Sequence, residues 1–285
     1  MKRLLCLLLA FLLTGCQTPR ALPADARASE RPVLILMYHS ILKDPARQGK
    51  YILSPDQLKA DMRYLLDAGF TPVSLSELID FADGRGDLPD LPVVLTFDDG
   101  YLNNLTYLLP LLIELDCRAV ISVVGEYAKR FTDTPDPNPN YAHLSLPELA
   151  ELTLSDRVEL ANHSYNMHAQ TARMGSGRKN GESDAAYADA FTADTLACQE
   201  LLLAYTKTAP VAYAYPFGVI DPDSGALLAK MGFRVTLTCF ERISTVRVGD
   251  PDSLFGLGRY NRPGGVDTER FLAPILAAHP GLRNG

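Results

Sequence analysis

Short apolar runs alternate with amphipathic stretches along most of this chain. "VLILMY" (33–38) reads as a strand. It is followed by "SPDQLKADMRYLLDAG" (54–69), where Ser54 suits an N-cap, Pro55 the first turn and Gly69 the C-terminal stop of a helix. The alternation then repeats: residues 70–73 predict a strand, and Ser74 with Glu77 forms a capping box ahead of a helix. Strands are predicted at 92–97, 118–124, 157–162, 211–215 and 233–239. Helices are predicted at 101–115, 145–154, 184–206, 222–231 and 267–278. Alternating strands and helices imply an α/β fold, a parallel sheet with helices outside. About seven or eight such strands suggest a closed or nearly closed (β/α) barrel.

In such folds chemistry gathers at the carboxyl ends of the strands, and the polar residues can be tested against that rule. His39 follows strand 33–38, Asp98 and Asp99 follow 92–97, His163 follows 157–162, and Pro216 with Phe217 follows 211–215. All fall on one rim. Two stretches, "TDTPDPNPNYAH" (132–143) and "ARMGSGRKNGESD" (172–184), break the alternation and read as loops, either passive connections or walls of that rim.

The N-terminal pattern is different. Lys2 and Arg3 precede an apolar run, Leu4 to Leu13, too short for a mature membrane span and laid out like an export signal. Leu13-Thr14-Gly15-Cys16 resembles a bacterial lipobox, which implies cleavage before Cys16, its acylation, and an extracytoplasmic chain anchored to a membrane. Residues 1–15 are then a signal peptide, 16–31 a lipidated cysteine and flexible tether, 32–279 one catalytic domain and 280–285 a tail. A net charge of −7 and no long basic run argue against nucleic acid and for a neutral or cationic ligand taken by a monomer. Cys117, Cys198 and Cys239 sit in apolar contexts and read as core thiols.

The stretch "VVLTFDDGYLNN" (93–104) places two carboxylates side by side at the end of a buried strand, where each demands a cationic partner. "ELANHSYNMHAQ" carries His163 and His168 five residues apart, a spacing that lets both rings meet one ion only on a loop or turn. Two imidazoles and one carboxylate make a common set for a divalent transition metal with open positions. Asp99 then holds the cation and Asp98 is free to accept a proton from a water activated beside it.

These motifs resemble those of the NodB-homology polysaccharide deacetylases, carbohydrate esterase family 4. "LTFDDGY" (95–101) is similar to the first motif, "NHSYNMH" (162–168) to the second and "YAYPFG" (213–218) to the third. "LMYHSI" (36–41) and "LGRYNRPGGVDTERFLAPI" (257–275) resemble the branch that includes deacetylases of poly-β-1,6-N-acetylglucosamine. The resemblance implies a distorted (β/α) barrel, Asp98 as general base, Asp99, His163 and His168 as metal ligands, and Phe217, beside Pro216, as a backbone donor to the oxyanion. It implies zinc, or another divalent ion such as Co²⁺ or Ni²⁺, and an N-acetylated glycan as substrate. Ser164 is expected to help fix the loop that carries the histidines.

Two departures stand out. Ala214 occupies the position where the family often has an arginine that orients the base, and no histidine lies between Phe233 and Tyr260 to act as general acid. His39 is the substitute acid on this reading; a core histidine bonded to backbone is the alternative. Arg259 either contacts substrate, pairs with a site carboxylate or makes a surface ion pair. His143 reads as solvent-exposed and His279 as a tail residue. With no tryptophan in the chain, sugar stacking falls to Tyr101, Tyr165 or Phe217 if to any residue. The functions open to such a chain are N-deacetylation of a glucosamine polymer, deacetylation of peptidoglycan or O-acetylated xylan, or glycan binding without turnover.

Overall fold

The computed structural model describes residues 29–279 and Leu282; the expected export signal and lipobox and most of the expected tether and tail lie outside the described residues. In chain order the elements are β1 (Glu30–Tyr38), β2 (Ser40–Ile41), β3 (Ile52–Leu53), α1 (Pro55–Asp67), β4 (Thr71–Pro72), α2 (Leu75–Ala82), β5 (Pro92–Phe97), α3 (Leu109–Glu114) and β6 (Ala119–Val123). They continue with α4 (Gly125–Asp133), α5 (Leu146–Thr153), β7 (Val158–Asn162), α6 (Asp184–Thr206), β8 (Ala212–Ala214), α7 (Ser224–Lys230), β9 (Val235–Leu237), β10 (Ser244–Arg247), β11 (Tyr260–Asn261) and α8 (Thr268–Ala278).

The helix starts are where side chains can replace missing backbone partners. Ser54 with Gln57, Ser74 with Glu77 and Ser145 with Glu148 each close a reciprocal capping box. The helix expected from residue 101 begins later and differently. Asn104–Leu108 forms a wide π-helical turn before α3, because Asn103 and Asn104 spend their side chains on other segments. Helix α4 and strands β2, β3, β10 and β11 were not predicted; most are too short to show a period.

The sheet runs in the order β10-β1-β5-β6-β7-β8-β9, with β10 antiparallel to β1 and the other neighbours along it parallel. It curls into a half-barrel of seven strands. Residues 257–262 cross the open side. Leu257 exchanges backbone bonds with Thr236 and Thr238 beside β9, Tyr260 and Asn261 pair with Leu36 and Met37 of β1, and Arg262 N donates to Met37 O.

Strand alternation sorts the core. Val33, Ile35, Val94, Val120, Ala161, Ala212 and Val235 fill one side together with the apolar face of α2, which closes the end away from the site. Glu159 at the start of β7 caps α2 by accepting from Leu75 N at 2.7 Å. Leu34, Leu36, Leu95, Phe97 and Ile121 point the other way, into the helical layer. A third cluster, Tyr187, Phe191, Tyr213 and Phe233, seats α6 against β8.

A buried ion pair ties the closing segment to the helices. Asp61 of α1 accepts from Arg262 Nε at 2.7 Å and Nη2 at 2.9 Å, and from Thr268 Oγ1 at 2.6 Å. Both charged side chains are fully buried. Asp61→Ala strands the Arg262 charge and is expected to cost about 3–5 kcal/mol, read as a lower urea midpoint; a loss under about 1 kcal/mol would contradict that role.

Candidate metal centre and active site

Strand β5 delivers Asp98 and Asp99 to the carboxyl rim, and a local twist separates them. Asp98 N still bonds to Tyr38 O (2.9 Å), as a continuation of the ladder. Asp99 then adopts a left-handed conformation (φ 74°), followed by Gly100 at φ 66°. The two carboxylates therefore meet different partners.

Asp98 meets Arg259. Nη1 donates to Oδ1 and Nη2 to Oδ2, both at 2.8 Å, in a two-pronged pair. Arg259 Nε is held by Thr238 O at 2.9 Å, and its Nη1 also reaches Thr96 Oγ1 at 3.2 Å. Burial pushes the Asp98 carboxyl up, but the Arg259 guanidinium and the His163 ring outweigh it and keep the group below the usual carboxylate range. Of the roles open to Arg259, the structure shows the pairing with a site carboxylate: it is fully buried, outside the cavity lining and bound to Asp98. Arg259 thus gives Asp98 the guanidinium partner that the family resemblance would lead one to expect at the position of Ala214.

Asp99 meets the histidines. Its Oδ1 lies 3.5 Å from His163 Nε2 and 3.1 Å from His168 Nε2. It is buried with no hydrogen-bond partner among the described residues. One donor atom from each of the three side chains falls within 4.8 Å of the others. That is the arrangement of donors around a common centre rather than of a hydrogen-bonded pair, and it fits a divalent cation bound by one carboxylate and two imidazoles. His163 Nδ1 donates to Ala214 O (2.7 Å), which leaves Nε2 as the free donor atom facing Asp99. The His168 ring packs on Phe217, with centroids 4.5 Å apart.

The segment between the histidines turns as their spacing requires. Ser164 is left-handed (φ 70°) and buried; its N–H donates to Asn162 Oδ1 at 2.9 Å, while its own hydroxyl has no partner. Asp194 of α6 then accepts Tyr165 N (2.9 Å) and Asn166 N (2.8 Å). Asn103 and Asn104 do similar work for the end of β1. Asn103 Oδ1 accepts Ile41 N at 2.9 Å, and Asn104 Nδ2 donates to His39 O at 3.1 Å. Sequence reading missed these three supports, although both asparagines stand in the DDGYLNN stretch itself.

These groups surround a cavity of about 520 Å³ lined by His39, Asp98, Asp99, Tyr101, His163, His168 and Phe217. Tyr51, Lys50, Gln170, Met174, Cys239, Glu241 and Asn261 complete the wall. His39 packs on Tyr51 (4.6 Å between centroids), and burial pushes its pKa down despite the nearby Asp98 and Asp99. Loop 172–184 does wall the rim: Gly175 lies so close to the 216–217 turn that a Cβ there would come within 2.6 Å of Pro216 O. Loop 132–143 instead braces from behind, through Pro139 O and Asn103 (3.0 Å).

Several residues sit elsewhere than expected. Pro216 is buried behind Phe217, shapes the turn and does not line the cavity. Tyr165 lines a separate groove beside α6 rather than this cavity. Cys239 is not a core thiol like the buried Cys117 and Cys198 but a partly exposed one on the cavity wall. His143 is buried rather than exposed, and its Nδ1 lies 2.9 Å from the Asp99 carbonyl oxygen. His279 pairs with Tyr260 Oη at 3.0 Å.

Comparison with known proteins agrees with this geometry. The polysaccharide deacetylase family profile matches residues 85–236, and the chain belongs to that family. It is 24% identical over 269 residues to a poly-beta-1,6-N-acetyl-D-glucosamine N-deacetylase of Escherichia coli O157:H7; the match takes in 83% of this chain but only 40% of that protein's length. In fold it resembles IcaB from Ammonifex degensii (TM-score 0.69, 23% identity, 87% of this chain and 96% of that one). It also resembles the deacetylase PplD from Streptococcus pyogenes, in complex with acetate (TM-score 0.67, 20% identity, 86% and 98%).

The division between the two carboxylates gives an expected pair of outcomes. Asp99→Asn loses divalent-metal binding, whereas Asp98→Asn retains it, both measured by equilibrium dialysis against zinc. Arg259→Met should also retain metal, because Arg259 contacts the base and none of the three donors.

Proposed function

We propose that this chain is a metal-dependent hydrolase that removes N-acetyl groups from an N-acetylglucosamine polysaccharide, with a β-1,6-linked polymer as the favoured substrate. The observation that carries the reading is the pairing of Asp98 with Arg259 directly beside the Asp99, His163 and His168 donor set. Similarity to the poly-β-1,6-N-acetylglucosamine deacetylase supports the choice of polymer.

Asp99, His163 and His168 would hold the ion, zinc or a substitute such as cobalt or nickel. Such an ion, when bound, polarises an amide carbonyl and lowers the pKa of water towards about 7. Asp98, kept ionised and aimed by Arg259, takes the proton from the attacking water. The Phe217 N–H stands at the cavity edge to donate to the oxyanion that develops on the acetyl carbon. The proton that Asp98 takes passes on to the departing sugar amine, and His39, on the same wall with its pKa pushed down by burial, would relay it. Tyr101 and Tyr51 offer faces to the sugar ring.

The pattern at residues 2–16 supports an exported protein anchored to a bacterial membrane by acyl groups on Cys16, with the domain reaching nearby glycan on its tether. Cys16→Ser should move the chain from the membrane fraction to the soluble fraction. Unchanged partition would remove the anchor.

The deciding experiment is acetate release by the zinc- or cobalt-loaded domain from β-1,6- and β-1,4-linked N-acetylglucosamine oligomers, peptidoglycan and acetylated xylan. Release is expected from the β-1,6-linked oligomers and not with Asp99→Asn. Asp98→Asn and Arg259→Met should each reduce kcat by about 10²–10⁴-fold. Release from another substrate would reassign the polymer. No release from any, with metal bound and the fold intact, would make the chain a glycan-binding protein.

A further inference from the structure

We propose that His143 is a positioning residue that holds the Asp99 turn in the shape required of a metal ligand, and so sets the affinity of the site without touching ion or substrate. The inference rests on the reading of Asp99 as a ligand.

A left-handed conformation at a residue other than glycine persists only where the surroundings enforce it. At Asp99 (φ 74°) the enforcement comes from residues 142–144. Leu102 N donates to Ala142 O and Leu144 N to Gly100 O, both at 2.8 Å, so this short segment laces the backbone just after the turn. Between those bonds, the His143 ring reaches back and its Nδ1 meets the Asp99 carbonyl oxygen at 2.9 Å. The contact is buried, so no water can replace a lost donor cheaply. A neutral imidazole suffices, with its proton on Nδ1.

The ring itself is clamped. Tyr101 and Tyr127 lie on it with centroids 4.6 and 4.5 Å away, and Phe131 stands at 5.6 Å. Tyr127 also meets the ring of His168 edge-on at 5.9 Å. One aromatic side chain thus packs against both the group that holds Asp99 and one of the imidazoles that face it. His143 does not line the cavity.

The test is zinc affinity of the full domain, by competition with a chromophoric chelator, together with the visible absorption of the cobalt-loaded protein. His143→Phe keeps a ring between the tyrosines and removes the donor. His143→Asn places an N–H close to the position of Nδ1. The expected result is a loss of affinity of about ten- to a hundredfold in His143→Phe, with an altered cobalt band. His143→Asn should bind within about threefold of the parent and restore the band. Parent-like affinity and spectrum in His143→Phe would overturn the proposal, as would His143→Asn binding as weakly as His143→Phe. Should His143→Phe not fold, His143→Leu, which also lacks the donor, takes its place: a loss of affinity of about tenfold or more supports the role, and near-parent affinity overturns it. A parent chain that binds neither ion overturns the metal reading itself and this inference with it.

Discussion

A buried carboxylate is costly unless a cation answers it, and the contact between Asp98 and Arg259 is where this fold meets that demand. Asp99 at the next position turns towards the two histidines, so the bidentate guanidinium is left to Asp98. The guanidinium that neutralises it arrives from residues 257–262, the segment that bridges the open side of the half-barrel. Barrel closure and the neutralisation of Asp98 depend on the same segment. Without the bridge the sheet keeps a free edge and Asp98 keeps an unpaired charge.

The same economy governs Asp99. Its left-handed backbone turns the second carboxylate away from the first and towards two imidazoles whose own loop is bent at Ser164. Each bend is supported by a side chain from another element: His143 behind Asp99, Asp194 behind the histidine loop, and Asn104 behind His39. The groups that face the cavity are thus held at the backbone by groups that do not.

Most of the repeating fold was legible because its signals are local. Periodicity and capping residues located α1, β5, α5, β7 and α6 to within two residues of their observed ends. The rim rule gathered His39, Asp98, Asp99, His163 and Phe217, since each follows a strand directly. What escaped depends on distance. Strand β11 has two residues and exists only because β1 lies alongside. For Arg259 the sequence left pairing with a site carboxylate as one of three options, because nothing local picks out the carboxylate 161 positions earlier. His143, in a stretch rich in proline and asparagine, carries the composition of a surface loop; its burial comes from Tyr101 and Tyr127, which no spacing rule connects to it.

The bridging segment also has a meaning in time. A ribosome delivers Asp98, Asp99, His163 and His168 well before it delivers Arg259. A chain cut before residue 257 lacks both the guanidinium that pairs with Asp98 and the strand that pairs with β1 on the open side of the sheet. Long-range contacts of this kind form late in folding, because the intervening chain must be ordered first. A chain clipped there would carry all three donors of the candidate metal site and yet leave the buried Asp98 charge unanswered.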